Sequence, residues 1–99
     1  MKRRVRLLEP AQADLIAIER YLAADSPTTA APLVSGLLNA IMTLGEFAER
    51  APAPRDDRIK ALGFRVLTRA PYLIFFRIHH REVRVHRVLH GRREYQRLR

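Results

Sequence analysis

Polar and apolar positions alternate with a period of two at both ends of the chain and recur with a helical period in the middle, so strands flank helices. The stretch Gly63 to Glu94 is dominated by β-branched and aromatic residues between short turn signals. It predicts strands over Phe64–Leu67, Tyr72–His79 and Val83–His90. The links between them are too short for a crossover helix, so each strand turns back on the one before and the pairing is antiparallel. At the other end, Arg3 to Leu8 alternates basic and apolar residues and predicts a short first strand. A lone strand cannot satisfy its backbone, so this one must join the same sheet, beside a strand of the C-terminal half.

Between them lie two helices. Glu9-Pro10 opens the first, because proline suits the first helical positions and an acid there complements the N-terminal dipole. Ala11, Leu15, Ile18 and Leu22 form one apolar stripe through Ala24, with Asp14, Glu19 and Arg20 on the polar side. Asp25-Ser26-Pro27 supplies a stop and a new start, Ser26 serving as N-cap. Val34, Leu37, Leu38, Ile41, Leu44 and Ala48 then share one face of a long second helix. Pro32 would remove a hydrogen bond inside a helix begun at Pro27, so either the start lies near Thr29 or the first turn is kinked. Phe47 to Asp57, with Pro52 and Pro54, reads as a linker back to the sheet. The economical architecture is α+β: an antiparallel two-helix hairpin on one face of a small, twisted, mainly antiparallel sheet, forming a single domain over residues 1–99.

Charge divides along the same plan. From Arg58 onward the chain holds 12 Lys and Arg against Glu82 and Glu94, whereas residues 7–57 hold 3 basic and 8 acidic side chains. The sheet layer is therefore basic and the helical layer acidic, and the net charge of +9 predicts an acidic partner, nucleic acid or protein. Arginine outnumbers lysine 17 to 2, which suits bidentate contacts to phosphate or carboxylate, although a GC-rich genome produces the same bias. With 99 residues the chain buries only roughly 60 to 70% of its unfolded surface, so a partner that completes the fold is expected. The absence of cysteine removes disulfide and thiolate-metal chemistry and suits the reducing cytosol. No apolar run approaches the ~18 residues of a bilayer span, and Lys2-Arg3-Arg4 is not followed by a signal-peptide core.

Candidate chemistry concentrates in the C-terminal third. Arg92 and Arg93 follow Gly91, at which the backbone can turn sharply, and make a compact anion site, while the alternative is solvated tail charge. Arg65 and Arg77 lie on strands, as phosphate contacts on the sheet face or as partners of helix carboxylates. His90 ends a strand, Tyr72 is expected in the core, and His79 and His80 in an exposed hairpin turn. No Gly-rich phosphate loop, Ser-His-Asp order or metal-ligand set is present, and no cofactor is expected.

Several motifs together resemble the RelE/ParE toxins of bacterial toxin-antitoxin systems. They are the Pro-opened helix with Asp14-Leu15 and Ile18-x-x-Tyr21, the Ser26-Pro27 restart, Leu44-x-x-Phe47, Gly63-Phe64-Arg65, Tyr72-Leu73-Ile74-Phe75-Phe76-Arg77 and Val88-Leu89-His90-Gly91-Arg92-Arg93-Glu94. The resemblance covers nearly the whole chain and is most specific in the Tyr72 strand and the His90-Gly91-Arg92-Arg93 ending. Glu9, where the family usually has serine, and Pro32 depart from its pattern. The RelE branch is a ribosome-dependent messenger RNA endonuclease and commonly has arginine directly after the tyrosine of the middle strand, where this chain has Leu73. If that branch applied, the resemblance would cast Arg65, His90, Arg93 and Tyr95 as catalytic. The ParE branch is a DNA gyrase poison that cleaves nothing itself, and the Tyr72 strand and the ending look closer to it. On that reading Arg65, Arg77, His90, Arg92 and Arg93 contact the target. Family antitoxins wrap the toxin with an extended C-terminal segment, for which Ile16 and Leu33 would be apolar anchors and Arg84 a basic contact. A non-toxic basic nucleic-acid-binding module is the remaining alternative.

Overall fold

The computed structural model describes residues 2–91. Among them the chain runs β1 (Arg4–Leu7), α1 (Glu9–Asp25), α2 (Pro27–Phe47), a 3-10 turn (Ala48–Arg50), α3 (Asp57–Ala61), β2 (Arg65–Arg69), β3 (Tyr72–His79) and β4 (Glu82–His90). The strands form one sheet in the order β1-β4-β3-β2. β2, β3 and β4 pair antiparallel, as their short links require, while β1 lies parallel to β4. The two long helices cover one face, where Leu15, Leu37, Ile41 and Leu44 pack against Tyr72, Ile74, Phe76, Val83, Val85 and Val88 in the main core.

Ser26 alone separates α1 from α2, donating its backbone N–H to Leu22 O at 2.7 Å. It occupies the N-cap of α2 as expected, but its side chain makes no cap bond. Its main-chain carbonyl accepts instead from Thr29, through both N–H and Oγ1. The helix starts at Pro27 and continues through Pro32. Pro32 and Thr28, whose carbonyl loses its helical donor, are both exposed, so water can take that place. Contrary to the sequence reading, α2 with its following turn is long and apolar enough to cross a membrane by length and composition, with a mean hydropathy of 1.3. Here its apolar stripe is buried on the sheet. Gly45 permits the close approach of β1 to α2: Arg3 N–H donates to Gly45 O, and a Cβ on Gly45 would stand 2.9 Å from Arg3 O.

The linker after α2 is more ordered than its prolines suggest. Asp56 caps α3 by accepting from the N–H groups of Arg58 and Ile59, and Val66 on the outer edge of β2 donates to Pro52 O. Arg65 Nη1 donates to the carbonyls of Glu49 and Ala51, each at 3.1 Å. This loop thus covers part of the sheet edge. It also brings Ile59 and Phe64 against Phe75 and Leu89, a second small core on the face away from the long helices, with Val66 and Leu73 packed alongside.

Candidate functional site

That second face carries the charge. On β1, Val5 and Leu7 pack toward the helices, so Arg4 and Arg6 point the other way. Register places Arg6 opposite Arg84 of β4 and Arg84 opposite Arg77 of β3. Three guanidinium stems therefore stand in one row across three strands. Glu82 interrupts it: Arg84 Nε donates to Glu82 Oε1 at 2.6 Å, and Arg6 Nη1 lies 3.9 Å from the same oxygen. The hydrogen bond from Arg84 is the largest effect and holds the Glu82 carboxyl below the usual glutamate range; burial opposes it, and the charges of Arg84, Arg6 and Arg4 assist. Arg77 lies over the Phe64 ring, its Cζ 4.2 Å from the centroid, and its buried Nε has no hydrogen-bond partner among the described residues.

A register shift between Phe75 and Phe76 leaves His86 as the extra residue of a β-bulge. His86 stands edge-on to Phe64, centroids 5.0 Å apart. Its burial, and then the charges of Arg77 and Arg84, push its pKa below the ordinary histidine value. A histidine whose folded pKa lies below its unfolded value stabilises the fold fully above about pH 6.5, and that contribution is lost as pH falls through the window beneath. His86→Gln should therefore flatten the fall in melting temperature between about pH 7 and pH 5.5, as thermal melts across that range would show; an unchanged slope would mean that the ring titrates as in the unfolded chain.

The bulge also frees Arg87 to turn toward the helices. Its Nε and Nη2 bind the two oxygens of Asp14 at 2.7 and 2.8 Å, and Asp14 Oδ2 accepts the Val88 N–H at 2.9 Å. Asp14, which helical periodicity assigned to the polar side of α1, thus occupies the edge of β4 just beyond the end of β1. Neither this pair nor the parts of Arg6, Glu82 and His86 were legible from the sequence. Each depends on which strand lies beside which, and alternation in β1 and β4 was the one available signal.

The other sequence candidates fall in different places. Arg77 and Arg84, read as contacts for two different partners, are cross-strand neighbours. Arg65 is bound to the linker carbonyls, opposite Phe76 of the main core, and is not part of the row; among the described residues it forms no ion pair with a helix carboxylate. His90 is exposed at the far end of β4, edge-on to the Tyr72 ring at 5.4 Å, and Tyr72 is buried as expected. Gly91, with φ +61°, donates its N–H to Pro71 O at 2.7 Å. Arg92, Arg93 and Tyr95 lie outside the described residues. Ile16 and Leu33 are exposed at 51% and 38%, and Leu33 lines an open groove of roughly 370 Å³ with Pro32, Gly36, Pro71 and Tyr72. His79 and His80 stack edge-on in the exposed turn, and no group of three or more metal-ligating side chains occurs among the described residues.

Residues 5–95 match the family described as ParE toxin of type II toxin-antitoxin system, parDE. In structure the chain is similar to a chromosomal ParDE TA system from P. aeruginosa. The TM-score is 0.79 and the identity 24%, over 91% of this chain and 97% of that one. It is also similar to the toxin-antitoxin complex RelBE2 from Mycobacterium tuberculosis, with a TM-score of 0.61 and 24% identity over 91% and 99% of the two chains. No curated protein matches it in sequence.

Proposed function

Because the chain belongs to the ParE toxin family of type II toxin-antitoxin systems, we infer that it poisons DNA gyrase without cleaving a substrate itself and is neutralised by a cognate antitoxin. The observation that carries the first part is the setting of Leu73. At the position where the resemblance gives the ribonuclease branch an arginine, this chain packs an apolar side chain against Ile59, Phe64, Phe75 and Leu89. An endonuclease needs cations around the scissile phosphate and a group that takes the 2′-hydroxyl proton, all converging on one point. Here Arg65 is bound to the linker, and His90 stands opposite Tyr72, four positions along β3 from the Arg65 partner Phe76, or roughly 13 Å. Support for the partner comes from the similar structures, a ParDE system and a RelBE2 complex, and from the exposed apolar residues Ile16 and Leu33.

Induced expression of the chain without a partner should arrest growth with DNA-damage signalling and filamentous cells. Rapid loss of translation, with messenger RNA cut in the ribosomal A site, would replace this reading with the ribonuclease. Unimpeded growth with an intact, folded protein would leave the basic binding module.

A further inference from the structure

The sheet face away from the long helices carries Arg4 and Arg6 of β1, Arg84 of β4 and Arg77 of β3, with Glu82 among them. Glu82 serves two of these: Arg84 donates to it at 2.6 Å, and Arg6 lies 3.9 Å away. Arg77 forms no ion pair among the described residues, its buried Nε has no acceptor there, and the Phe64 ring beneath it brings no charge. Like charges set directly opposite each other weaken strand pairing, so Arg6, Arg84 and Arg77 in register cost the free chain stability. Their arrangement is linear. Two strand spacings of about 4.8 Å separate Arg6 from Arg77, a span of roughly 10 Å.

We propose that this row is a binding site for a linear triphosphate group, carried by a nucleotide or by a short polyphosphate. A lone phosphate or carboxylate is too short to meet both Arg6 and Arg77, whereas linked phosphates present oxygens along the whole span. Guanidiniums suit them, because each offers paired N–H donors matched to two phosphate oxygens. Glu82 offsets only part of the charge of the four arginines, so the face stays positive toward the ligand. His86 and Arg77 both meet the Phe64 ring, which places the half-buried imidazole at the Arg77 end of the row. Nucleic acid fits less well. Single-strand binders follow roughly four or more nucleotides and stack bases on open aromatic faces, but this row is short and Phe64 and Phe75 are 4% and 2% exposed. Occupancy relieves the opposed charges and stabilises the free chain by mass action.

The test titrates the full chain with tripolyphosphate, ATP, orthophosphate and an oligothymidylate, at constant ionic strength set with sodium chloride. Tripolyphosphate should raise the melting temperature, shift the Nε–Hε NMR signals of Arg77 and Arg84, and bind at least about tenfold more tightly than orthophosphate, as one added charge-assisted contact implies. It should also raise the pKa of His86, followed by its imidazole NMR signals, because a nearby anion favours the protonated ring. The double variant R77M/R84Q should bind at least about tenfold more weakly. Arg6→Gln alters a side chain that is 60% exposed and keeps the test open should the double variant fail to fold; it should weaken binding by roughly two- to fivefold, the range of an exposed charge pair. ATP binding as tightly as tripolyphosphate supports the triphosphate itself as the recognised group, and tighter binding identifies a nucleotide as its source. Tripolyphosphate bound no better than orthophosphate, or equally by a folded R77M/R84Q and by Arg6→Gln, would overturn the site. Tighter binding of the oligothymidylate at the same signals would overturn it in favour of nucleic acid.

Discussion

Asp14→Ala is expected to destabilise the fold by roughly 3 to 5 kcal/mol, the usual result of removing one partner from a mostly buried ion pair. The Asp14 and Arg87 side chains are 14% and 20% exposed, so a guanidinium that has lost its bidentate carboxylate stays largely away from water. The same substitution strips the Val88 N–H of its acceptor at a residue only 2% exposed, which adds an unsatisfied buried donor. The pair also ties α1 to β4 across 73 residues of sequence, so its loss loosens the contact between the helical layer and the sheet. For a domain of this size each kcal/mol corresponds to about 4 to 8 °C, so the melting temperature should fall by well over 10 °C. Thermal and urea unfolding would measure it. Arg87→Met combined with Asp14→Ala should recover part of the loss by removing the charge that Asp14 had balanced. A double variant no more stable than Asp14→Ala alone would show that the Val88 N–H carries the effect instead of the ion pair.

The largest functional effect is expected from Arg92→Ala with Arg93→Ala, which should abolish growth arrest while the protein remains folded and bound by its antitoxin. The described fold closes without these residues: His90 is the last residue paired in the sheet, opposite Tyr72, and the Gly91 N–H is held by Pro71 O. If both side chains serve the target rather than the fold, stability should change by less than about 0.5 kcal/mol, the usual range for surface substitutions. Charge-assisted contacts to an anionic target contribute roughly 1.5 to 3 kcal/mol each, so losing two weakens engagement by several tens-fold or more. A growth assay, thermal unfolding and antitoxin pull-down decide the matter together. Full toxicity in the folded variant would remove this ending from the working site, and a collapsed melting transition would make both arginines structural.

Much of the architecture was legible because it follows from local rules. A helix declares itself in side chains three and four apart, so the Ala11–Leu22 and Val34–Ala48 stripes marked α1 and α2 and the faces they bury. The three-stranded antiparallel unit followed from the period-two pattern and from links too short for any other connection. The need for the first strand to join the sheet was also legible, since unpaired backbone groups are costly anywhere in a fold. What the strands did not disclose was register. Whether β1 runs parallel to β4 and sets Arg6 opposite Arg84, whether a bulge at His86 turns Arg87 toward Asp14, and whether Leu73 meets Ile59 of α3 all depend on residues far apart in the chain. The linker is the loop its prolines signalled, but what holds it in place, bonds to β2, no neighbouring residue reveals. Local spacing determines what each segment is. Only closure of the whole chain decides which charges face one another, because a charged side chain shows the same alternation whether its opposite neighbour is a carboxylate or another guanidinium.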